Sequence, residues 1–349
     1  MTVHEKQSEE INQRPLLGIT LGDSCGVGPE VVLKALAHEQ VYRQCRPVVI
    51  GHKDILLRDM AMSGVNLSLK DVATPEEGVF EWGTIDVWSP MEIDISQIHM
   101  AQTCKESGRA AAEWVIAAVK LAMAERIDGI ITAPLSKEAI NLAGYHYAGH
   151  TELLAEYSGV KRAHLMLVSE RLTVSHVTGH IALQEVPKRL NAELVYQTIV
   201  LTREAIEGMG KTNPKIAVCG LNPHAGENGL FGKEDADLIR PAVERALASH
   251  WQVDGPLPAD TTFFKVYAGL YDGVVAMYHD QGHVPAKLVA FDQAVNVTLG
   301  LPIVRASVDH GTAFDIAGKG VAKVVNMLQT IKVGSQLAIQ RRKKLAENK

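Results

Sequence analysis

Three histidines follow apolar, strand-like runs of the chain at points where a loop begins, namely His180, His224 and His279. Neutral imidazoles are good ligands for divalent transition metals, and a set of three leaves coordination positions open for a substrate. These three lie far apart in a chain that has 14 histidines. Spacing alone therefore favours the simpler interpretation, in which each is a loop histidine hydrogen-bonded to backbone. A metal site requires that the fold bring them together.

Single polar residues also stand in positions that could bind an anion. Lys287, Asn296 and Arg305 interrupt apolar stretches, which Lys and Arg rarely enter unless they are paired. A buried anionic substrate would account for them, and structural ion pairs are the simpler explanation for each one taken singly. His150 and Thr151 stand at a predicted helix start, where an imidazole and a hydroxyl could hold a phosphate. The alternative there is a plain helix cap by Thr151.

A glycine-rich loop from Gly22 to Glu30 joins a predicted strand to a predicted helix. Its backbone N–H groups could face an anion at the helix start. The loop has neither the Gly-Lys-Ser/Thr of a P-loop nor a GxGxxG fingerprint. A tight strand-to-helix turn is therefore the favoured interpretation of this segment.

The elements that must position these residues alternate between apolar runs and helical patterns, which predicts an α/β fold. In open α/β sheets, ligands collect beyond the carboxyl ends of the strands, where several of the candidate residues lie. Two runs separated by three residues, His164–Val168 and Leu172–Val177, predict an antiparallel hairpin. Helices are predicted over Ser107–Arg126 and Ala192–Met209. Other strands are predicted over Leu16–Leu21, Pro47–Gly51, Gly129–Pro134, Lys215–Cys219 and Gly273–Met277.

Length and composition narrow the class of protein. A chain of 349 residues with 46% hydrophobic and 21% charged residues is ordinary for two globular domains. The net charge of −5 argues against nucleic acid as a partner, because phosphate neutralisation needs an excess of Lys and Arg. No apolar run approaches the roughly 18–20 residues of a membrane span. The start, from Met1 to Arg14, lacks an apolar signal core, and the four cysteines form no CxxC pair. These features predict a cytoplasmic protein with reduced thiols and no membrane partner.

Six motifs occur in order along the chain: GDxxGxGPE at Gly22–Glu30, GHTE at Gly149–Glu152, CGLNPHAGE at Cys219–Glu227, GPLPADT at Gly255–Thr261, YHDQG at Tyr278–Gly282 and SVDHGTAFDIAGKG at Ser307–Gly320. Together they resemble the family of 4-hydroxythreonine-4-phosphate dehydrogenases, and the resemblance runs from about Leu16 to Lys323. It implies an α/β fold with two domains around a cleft, like that of isopropylmalate and isocitrate dehydrogenases. The first domain would comprise residues 1–138 and 300–349. The second, residues 139–299, would carry the metal histidines and the dimer contacts.

The resemblance also implies roles for individual residues. One divalent metal, Zn, Co, Mn or Mg, would be held by His180, His224 and His279. The small anionic substrate would contact His150, Thr151, Lys287, Asn296 and Arg305. By analogy with the adenine-ribose loop of isopropylmalate and isocitrate dehydrogenases, NAD would be bound by His310, Gly311, Thr312 and Asp315. The family forms homodimers in which the neighbouring subunit completes each active site.

The implied reaction is an NAD-dependent, metal-assisted oxidation and decarboxylation of a phosphorylated four-carbon hydroxy acid. Lys287 is the candidate general base, because neighbouring positive charge would favour its neutral, proton-accepting form. Asp260 is the second candidate, either as the base or as a partner that orients a ligand.

Three departures from the pyridoxal-pathway enzymes resemble the catabolic branch that acts on threonate 4-phosphate: Ser24-Cys25, Gly179 and His283. The substrate would then be of either the 4-phosphooxy-threonine type or the threonate 4-phosphate type. Two alternatives remain open at this point. One is a cis-dihydrodiol dehydrogenase acting on an aromatic dicarboxylate diol of the terephthalate type, and the other is a non-catalytic sugar-acid-binding protein.

Overall fold

The structure, a computed structural model, describes residues 13–347. Most of the polar start from Met1 to Arg14, on which the cytoplasmic prediction partly rests, lies outside the described residues. Within the described range, no helix combines the length and the apolar character that a membrane crossing requires.

The strands, in chain order, are β1 Leu16–Thr20, β2 Arg46–Ile50, β3 Ser68–Asp71, β4 Thr84–Trp88, β5 Gly129–Thr132, β6 His164–Val168, β7 Thr173–His176, β8 Ile216–Cys219, β9 Val253–Leu257, β10 Gly273–Ala276, β11 Val295–Leu299 and β12 Arg305–Val308. Every strand predicted from the apolar runs is present, with ends that differ from the prediction by at most two residues. The mixed α/β class is confirmed.

The α-helices, in chain order, are α1 Gly28–Leu36, α2 Glu39–Gln44, α3 Lys53–Ser63, α4 Lys105–Met123, α5 Lys137–Leu142, α6 His150–Ser158, α7 Val186–Arg189, α8 Ala192–Gly208, α9 Arg240–Ala248, α10 Ala259–Tyr267, α11 His279–Ala290 and α12 Val325–Glu347. Both helices predicted from periodicity, α4 and α8, are present. In α4 the apolar residues spaced three and four apart form one face, and that face is buried: Ala111, Trp114, Ala118 and Leu121.

The chain divides into two compact units, one formed by Met1–Lys161 with Leu301–Lys349 and the other by Arg162–Gly300. The first unit therefore uses both chain ends. Its first segment extends beyond the predicted limit at residue 138, because α5 and α6 pack against α4. A Cβ added to Gly108 of α4 would lie 2.0 Å from the Ala139 carbonyl oxygen of α5, which shows how closely these helices approach.

The first unit has a parallel sheet in the order β3-β4-β2-β1-β5-β12. Strands β1 and β5 are buried along their whole length, as expected for parallel strands covered on both faces. In the register of β12 on β5, Arg305 pairs with Ile130 and Ser307 pairs with Thr132. The carboxyl end of β5 therefore lies beside β12.

The second unit has a mixed sheet in the order β11-β6-β7-β10-β8-β9. Strand β6 is antiparallel to both β11 and β7, so the predicted hairpin is present. From β7 onward the pairs are parallel, and His176 at the end of β7 pairs with Ala276 at the end of β10. The loops that leave β7 and β10 therefore start side by side.

Candidate functional site

A cluster of imidazoles lies where β7 and β10 end in the second unit. His180 stands in the loop after β7, and His279 is the first residue of α11, shortly after β10. Their ring centroids are 4.9 Å apart. The fold thus brings together two of the three histidines that the sequence singles out as metal ligands.

Two further histidines, His176 and His283, complete this cluster. His283 lies one turn after His279 on α11, and the two rings stack with centroids 3.7 Å apart and planes 11° apart. His176 Nδ1 lies 3.3 Å from the Leu165 carbonyl oxygen, and its Nε2 lies 3.1 Å from His283 Nδ1. Burial lowers the pKa of His176 to about 3, so its ring is neutral.

These contacts fix the proton positions on both rings. The Leu165 carbonyl oxygen can only accept, so His176 Nδ1 donates to it. In a neutral ring the other nitrogen is an acceptor, and His176 Nε2 therefore accepts from His283 Nδ1–H. The lone pair of a neutral His283 is then on Nε2. Sequence reasoning passed over His176, although its position at the end of a strand, in the segment that leads to His180, is a signal for it.

Gly282 makes the approach of α11 to β7 possible. A Cβ added at this position would lie 2.4 Å from His176 Nε2 and 2.8 Å from a methyl group of Val174. The glycine of the YHDQG motif is therefore needed to let the His176 ring reach His283.

The third predicted ligand, His224, lies on an unusual turn after β8. His224 and Ala225 both have φ of 52°, and Glu227 and Asn228 have φ of 42° and 55°. Successive non-glycine residues in the left-handed region cost about 1–2 kcal/mol each, so other bonds must hold the segment. Asp235 provides several of these bonds, because its carboxylate accepts from the backbone N–H groups just before the turn, at 2.7 and 3.2 Å.

The donor chemistry of these histidines fits a divalent metal. His279 Nδ1 lies 2.7 Å from Asp280 Oδ1, an arrangement that places the lone pair on Nε2 and is common among ligating histidines. The ring of His224 contacts Phe231, at 6.2 Å between centroids. Across residues 13–347, no three His, Cys, Asp or Glu side chains are arranged to hold a metal ion. The trio of His180, His224 and His279 therefore stays a prediction.

A second group of candidate residues lies in the first unit, around a buried guanidinium. Arg305 is 2% exposed, and its Nη2 donates to Thr132 Oγ1 across 2.7 Å. Burial lowers the pKa of Arg305 to about 9. An anion placed beside this side chain would offset the cost of burying its charge.

His150 lies near Arg305 and adds a donor or acceptor of its own. Burial and the positive charge of Arg305 hold the pKa of His150 well below its ordinary value, so this ring is neutral. Its Nε2 is buried, and no hydrogen bond to it is made by the described residues. Gly149 occupies the N-cap position of α6 without a side-chain cap, so Thr151 is not the cap that the alternative interpretation predicted. Thr151 is left for another contact.

The remaining substrate and base candidates lie in the second unit. Lys287 is on α11, one turn after His283, with its Nζ 5.3 Å from the centre of the Phe291 ring. Asn296 is on β11, and its Oδ1 is buried and accepts no hydrogen bond from the described residues. Asp260 is exposed in the first turn of α10, where its Oδ1 accepts from the N–H of Thr261 at 2.9 Å.

The glycine-rich loop of the first unit is a tight turn rather than an anion cradle. The N–H of Asp23 donates to the Pro134 carbonyl oxygen at 2.7 Å, and the N–H of Val27 donates to that of Thr312 at 2.9 Å. The N–H groups of Ser24 and Cys25 are bonded to side-chain oxygens of the same unit. The loop amides are therefore already used within the protein.

The candidate cofactor residues follow β12. His310 Nδ1 lies 2.9 Å from the Gly311 carbonyl oxygen, and the exposed Asp315 accepts from Lys319 Nζ through its backbone oxygen at 2.7 Å. The carboxylate of Asp315 thus lies at the protein surface, where a ligand can reach it.

Comparison with known proteins decides the family. The family model for the pyridoxal phosphate biosynthetic protein PdxA matches residues 43–334, which is most of the chain. The chain belongs to the PdxA family. The resemblance found in the six motifs is therefore confirmed.

Several PdxA relatives cover nearly the whole chain. A 4-hydroxythreonine-4-phosphate dehydrogenase of Desulfosudis oleivorans is 49% identical over 89% of this chain and 93% of its own length. A D-threonate 4-phosphate dehydrogenase of Cupriavidus necator is 46% identical over 94% of this chain and 98% of its own length. A crystal structure of a 4-hydroxythreonine-4-phosphate dehydrogenase from Burkholderia phymatum has 46% identity and a TM-score of 0.82, covering 93% of this chain and 98% of that one.

Membership of the PdxA family settles the class of reaction. The similar proteins are dehydrogenases, and this chain is an oxidoreductase that acts on a CH–OH group.

Proposed function

We propose that the chain oxidises a phosphorylated four-carbon hydroxy acid, of the threonate 4-phosphate or 4-phosphooxy-threonine type, with NAD as the hydride acceptor. The observation that carries this proposal is the buried Arg305 beside the neutral, buried His150 Nε2. A guanidinium is suited to bind phosphate or carboxylate. The names of the two curated relatives, which act on phosphorylated four-carbon compounds, support the same substrate class.

The reaction has two steps. In the first, the secondary alcohol carbon gives a hydride to the nicotinamide and the hydroxyl proton goes to a base, which leaves a ketone. In the second, the β-keto acid loses CO2, and the electron pair of the broken C–C bond remains as an enolate that is then protonated.

This chain's own residues have distinct parts in the proposed reaction. Arg305 binds an anionic group of the substrate by charge, with His150 and Thr151 hydrogen-bonding the phosphate. Lys287, on the same helix as His279 and His283, takes the hydroxyl proton in its neutral amine form and becomes an ammonium. Asp260 is the second candidate for this role.

His180, His224 and His279 are the residues that would hold a divalent metal, because imidazole nitrogens are good ligands for such ions. Such a metal, Zn, Co, Mn or Mg, supplies a Lewis acid for alcohol oxidation and for stabilising the enolate. His176 and His283 pack against these rings and help to orient them.

NAD is proposed to bind along His310, Gly311, Thr312 and Asp315. Asp315 has an exposed carboxylate that could accept hydrogen bonds from ribose hydroxyls. The fold like that of isopropylmalate dehydrogenase, with two domains around a cleft, stays a prediction. The cytoplasmic location also stays a prediction.

The two alternatives are not favoured. The curated relatives are named for phosphorylated substrates rather than for an aromatic diol, and a buried guanidinium with a neutral imidazole suits a phosphate well. A non-catalytic sugar-acid-binding protein is disfavoured because the similar proteins are dehydrogenases.

We also propose that the chain forms a homodimer through α11. Val284 and Leu288 on this helix are 63% and 86% exposed, and Phe291 just after it is 71% exposed. These apolar side chains lie at spacings of four and three residues and so form one stripe, which a second copy of the chain would cover.

One assay tests the proposed reaction against its alternatives. NADH absorbance is followed with threonate 4-phosphate, 4-phosphooxy-threonine and a cis-dihydrodiol, each with and without added metal. We expect NADH formation with a phosphorylated acid. Turnover of the diol alone, or of none of the three, would contradict the proposal.

A further inference from the structure

Lys34 of α1 is bonded to a distant part of the first unit. Its Nζ donates to Glu30 Oε1 at 2.7 Å, to the Gly320 carbonyl oxygen at 2.9 Å and to the Ala322 carbonyl oxygen at 2.9 Å. An ammonium group has three N–H donors. All three are therefore used, and two of them hold the segment that follows the candidate cofactor residues.

Glu30, the partner of Lys34 in this ion pair, also bonds to the same segment. Its side chain is 4% exposed, and Oε1 accepts from the Ala322 N–H at 2.8 Å as well as from Lys34. Exposed pairs at this helical spacing contribute little. This pair differs, because it is shielded from water and its charges are bonded to backbone atoms of another segment.

The other end of that segment is bonded to the glycine-rich turn that precedes α1. The Thr312 carbonyl oxygen accepts from the Val27 N–H at 2.9 Å. A Cβ added to Gly26 would lie 2.6 Å from this oxygen and 2.9 Å from Thr312 Cβ. The glycine-rich turn and α1 therefore hold residues 312–322 at both ends, with Asp315 between the two attachments.

We infer that Glu30 and Lys34 are positioning residues for the nicotinamide cofactor. They hold residues 312–322 in the conformation that binds the adenosine portion, without contacting the cofactor themselves. A loop already held in its binding conformation does not have to be ordered when the ligand arrives, which raises affinity. The inference rests on the proposed cofactor role of Thr312 and Asp315, and it gives the first of the six motifs, GDxxGxGPE, a purpose other than anion binding.

Lys34→Met tests the inference, since it removes the three donors and keeps most of the apolar stem. Arg43→Met is the matched control, because Arg43 forms a pair of the same spacing with Glu39 but at 72% and 52% exposure, away from the loop. We expect NADH binding, measured by fluorescence titration, to weaken about tenfold in Lys34→Met, with the KM for NAD rising in parallel. The KM for the acid substrate and kcat should stay within about twofold of wild type. Amide hydrogen exchange should become faster over residues 312–322.

Gly26→Ala disturbs the loop from its other end without changing any charge, and it decides the question by the same titration if Lys34→Met does not fold. Asp315→Ala separates this inference from the proposed cofactor site. If Asp315→Ala weakens NADH binding and neither other variant does, the inference is overturned while the cofactor assignment stands. If none of the three changes NADH binding, both are overturned. An equal rise in the KM values of NAD and acid would also overturn the inference, because it would indicate general loosening of the fold.

Discussion

His283 donates from Nδ1 to Nε2 of His176 across 3.1 Å, and this bond ties the helix that begins with His279 to the strand that leads to His180. His176 is buried, and its own orientation is fixed by the hydrogen bond from Nδ1 to the Leu165 carbonyl oxygen. The orientations of His176 and His283 are thus set by hydrogen bonds that join helix α11, strand β7 and strand β6.

We expect His176→Phe to weaken metal binding. The phenyl ring fills similar space but cannot accept from His283, whose ring is then free to turn against His279. Partners bonded directly to a metal ligand change metal affinity by about 10–100-fold, and His176, which acts through His283 stacked on His279, should have an effect at or below the lower end of that range. The affinity is measured by competition with a chelator, and the NADH dissociation constant serves as the control that should not change. Wild-type metal affinity in this variant would show that the bond does not orient the ligands.

Replacing His180, His224 or His279 with Ala should reduce bound metal and activity together. The physical reason is that a site with three protein ligands loses one third of its donors in each variant. Metal content is measured by elemental analysis after dialysis, with the exposed His146→Ala as the control. Full metal content in the His224→Ala variant alone would place the third ligand elsewhere, and His283 would be the next residue to test.

Acid should destabilise the protein through its buried histidines, and His164 provides a clean case. Burial, with a smaller effect of the nearby Arg162 charge, lowers the pKa of His164 from 6.5 to about 4. Above pH 6.5 the ring is neutral in both states and has no effect. Between pH 6.5 and 4 the unfolded chain binds a proton that the folded chain does not, so stability falls as the pH falls.

For a residue 6% exposed, this shift corresponds to a loss of about 3 kcal/mol in the free energy of unfolding by pH 4. His164→Asn removes the titrating ring and keeps a polar atom for Thr198. The free energy of unfolding is measured with urea at several pH values. Between pH 4 and 6.5, its change with pH should be smaller in the variant by about 1.4 kcal/mol per pH unit. An unchanged slope would mean that His164 is protonated in the folded protein.

Much of the fold could be predicted from the sequence, because buried parallel strands are short apolar runs and α4 repeats its apolar residues at helical spacing. The unit boundary near residue 161 could not be predicted from the sequence. Helices α5 and α6 join the first unit through contacts such as Gly108 with Ala139, which local patterns do not encode. Arg305 could be singled out as a cation within an apolar stretch. Its neighbour Thr132, on another strand, could be found only from the register of β12 on β5.

The imidazole cluster shows the same limit. Their positions after strand-like runs indicated His180 and His279, and the parallel pairing of β7 and β10 brings them together. His176 was missed because its role depends on a bond to a helix more than 100 residues later. The left-handed backbone around His224 was equally out of reach, because its neighbours Ala225 and Glu227 are residue types that rarely adopt positive φ.

Leu288→Asp should shift the protein towards monomers. The leucine is 86% exposed on α11 in the single chain, and a carboxylate in a covered apolar stripe would be costly to bury. Light scattering after size-exclusion chromatography measures the mass. Leu247→Asp on α9, where the leucine is 48% exposed, is the matched control and should not change it. If both variants and the wild type have the same mass, the stripe on α11 is not a dimer contact.

Arg305→Ala should raise the KM for a phosphorylated acid by about ten- to hundredfold, since charge-assisted hydrogen bonds contribute about 1.5–3 kcal/mol. The buried position makes this contact stronger than a surface pair, because water screens it little. Arg305→Lys keeps the charge but loses the planar pair of donors, so its KM should lie between those of Ala and wild type. NADH binding is the control and should not change if Arg305 serves the acid alone. If the KM in Arg305→Ala stayed at the wild-type value while NADH binding weakened, Arg305 would serve the cofactor rather than the acid, and the anion site of the first unit would have to be reassigned.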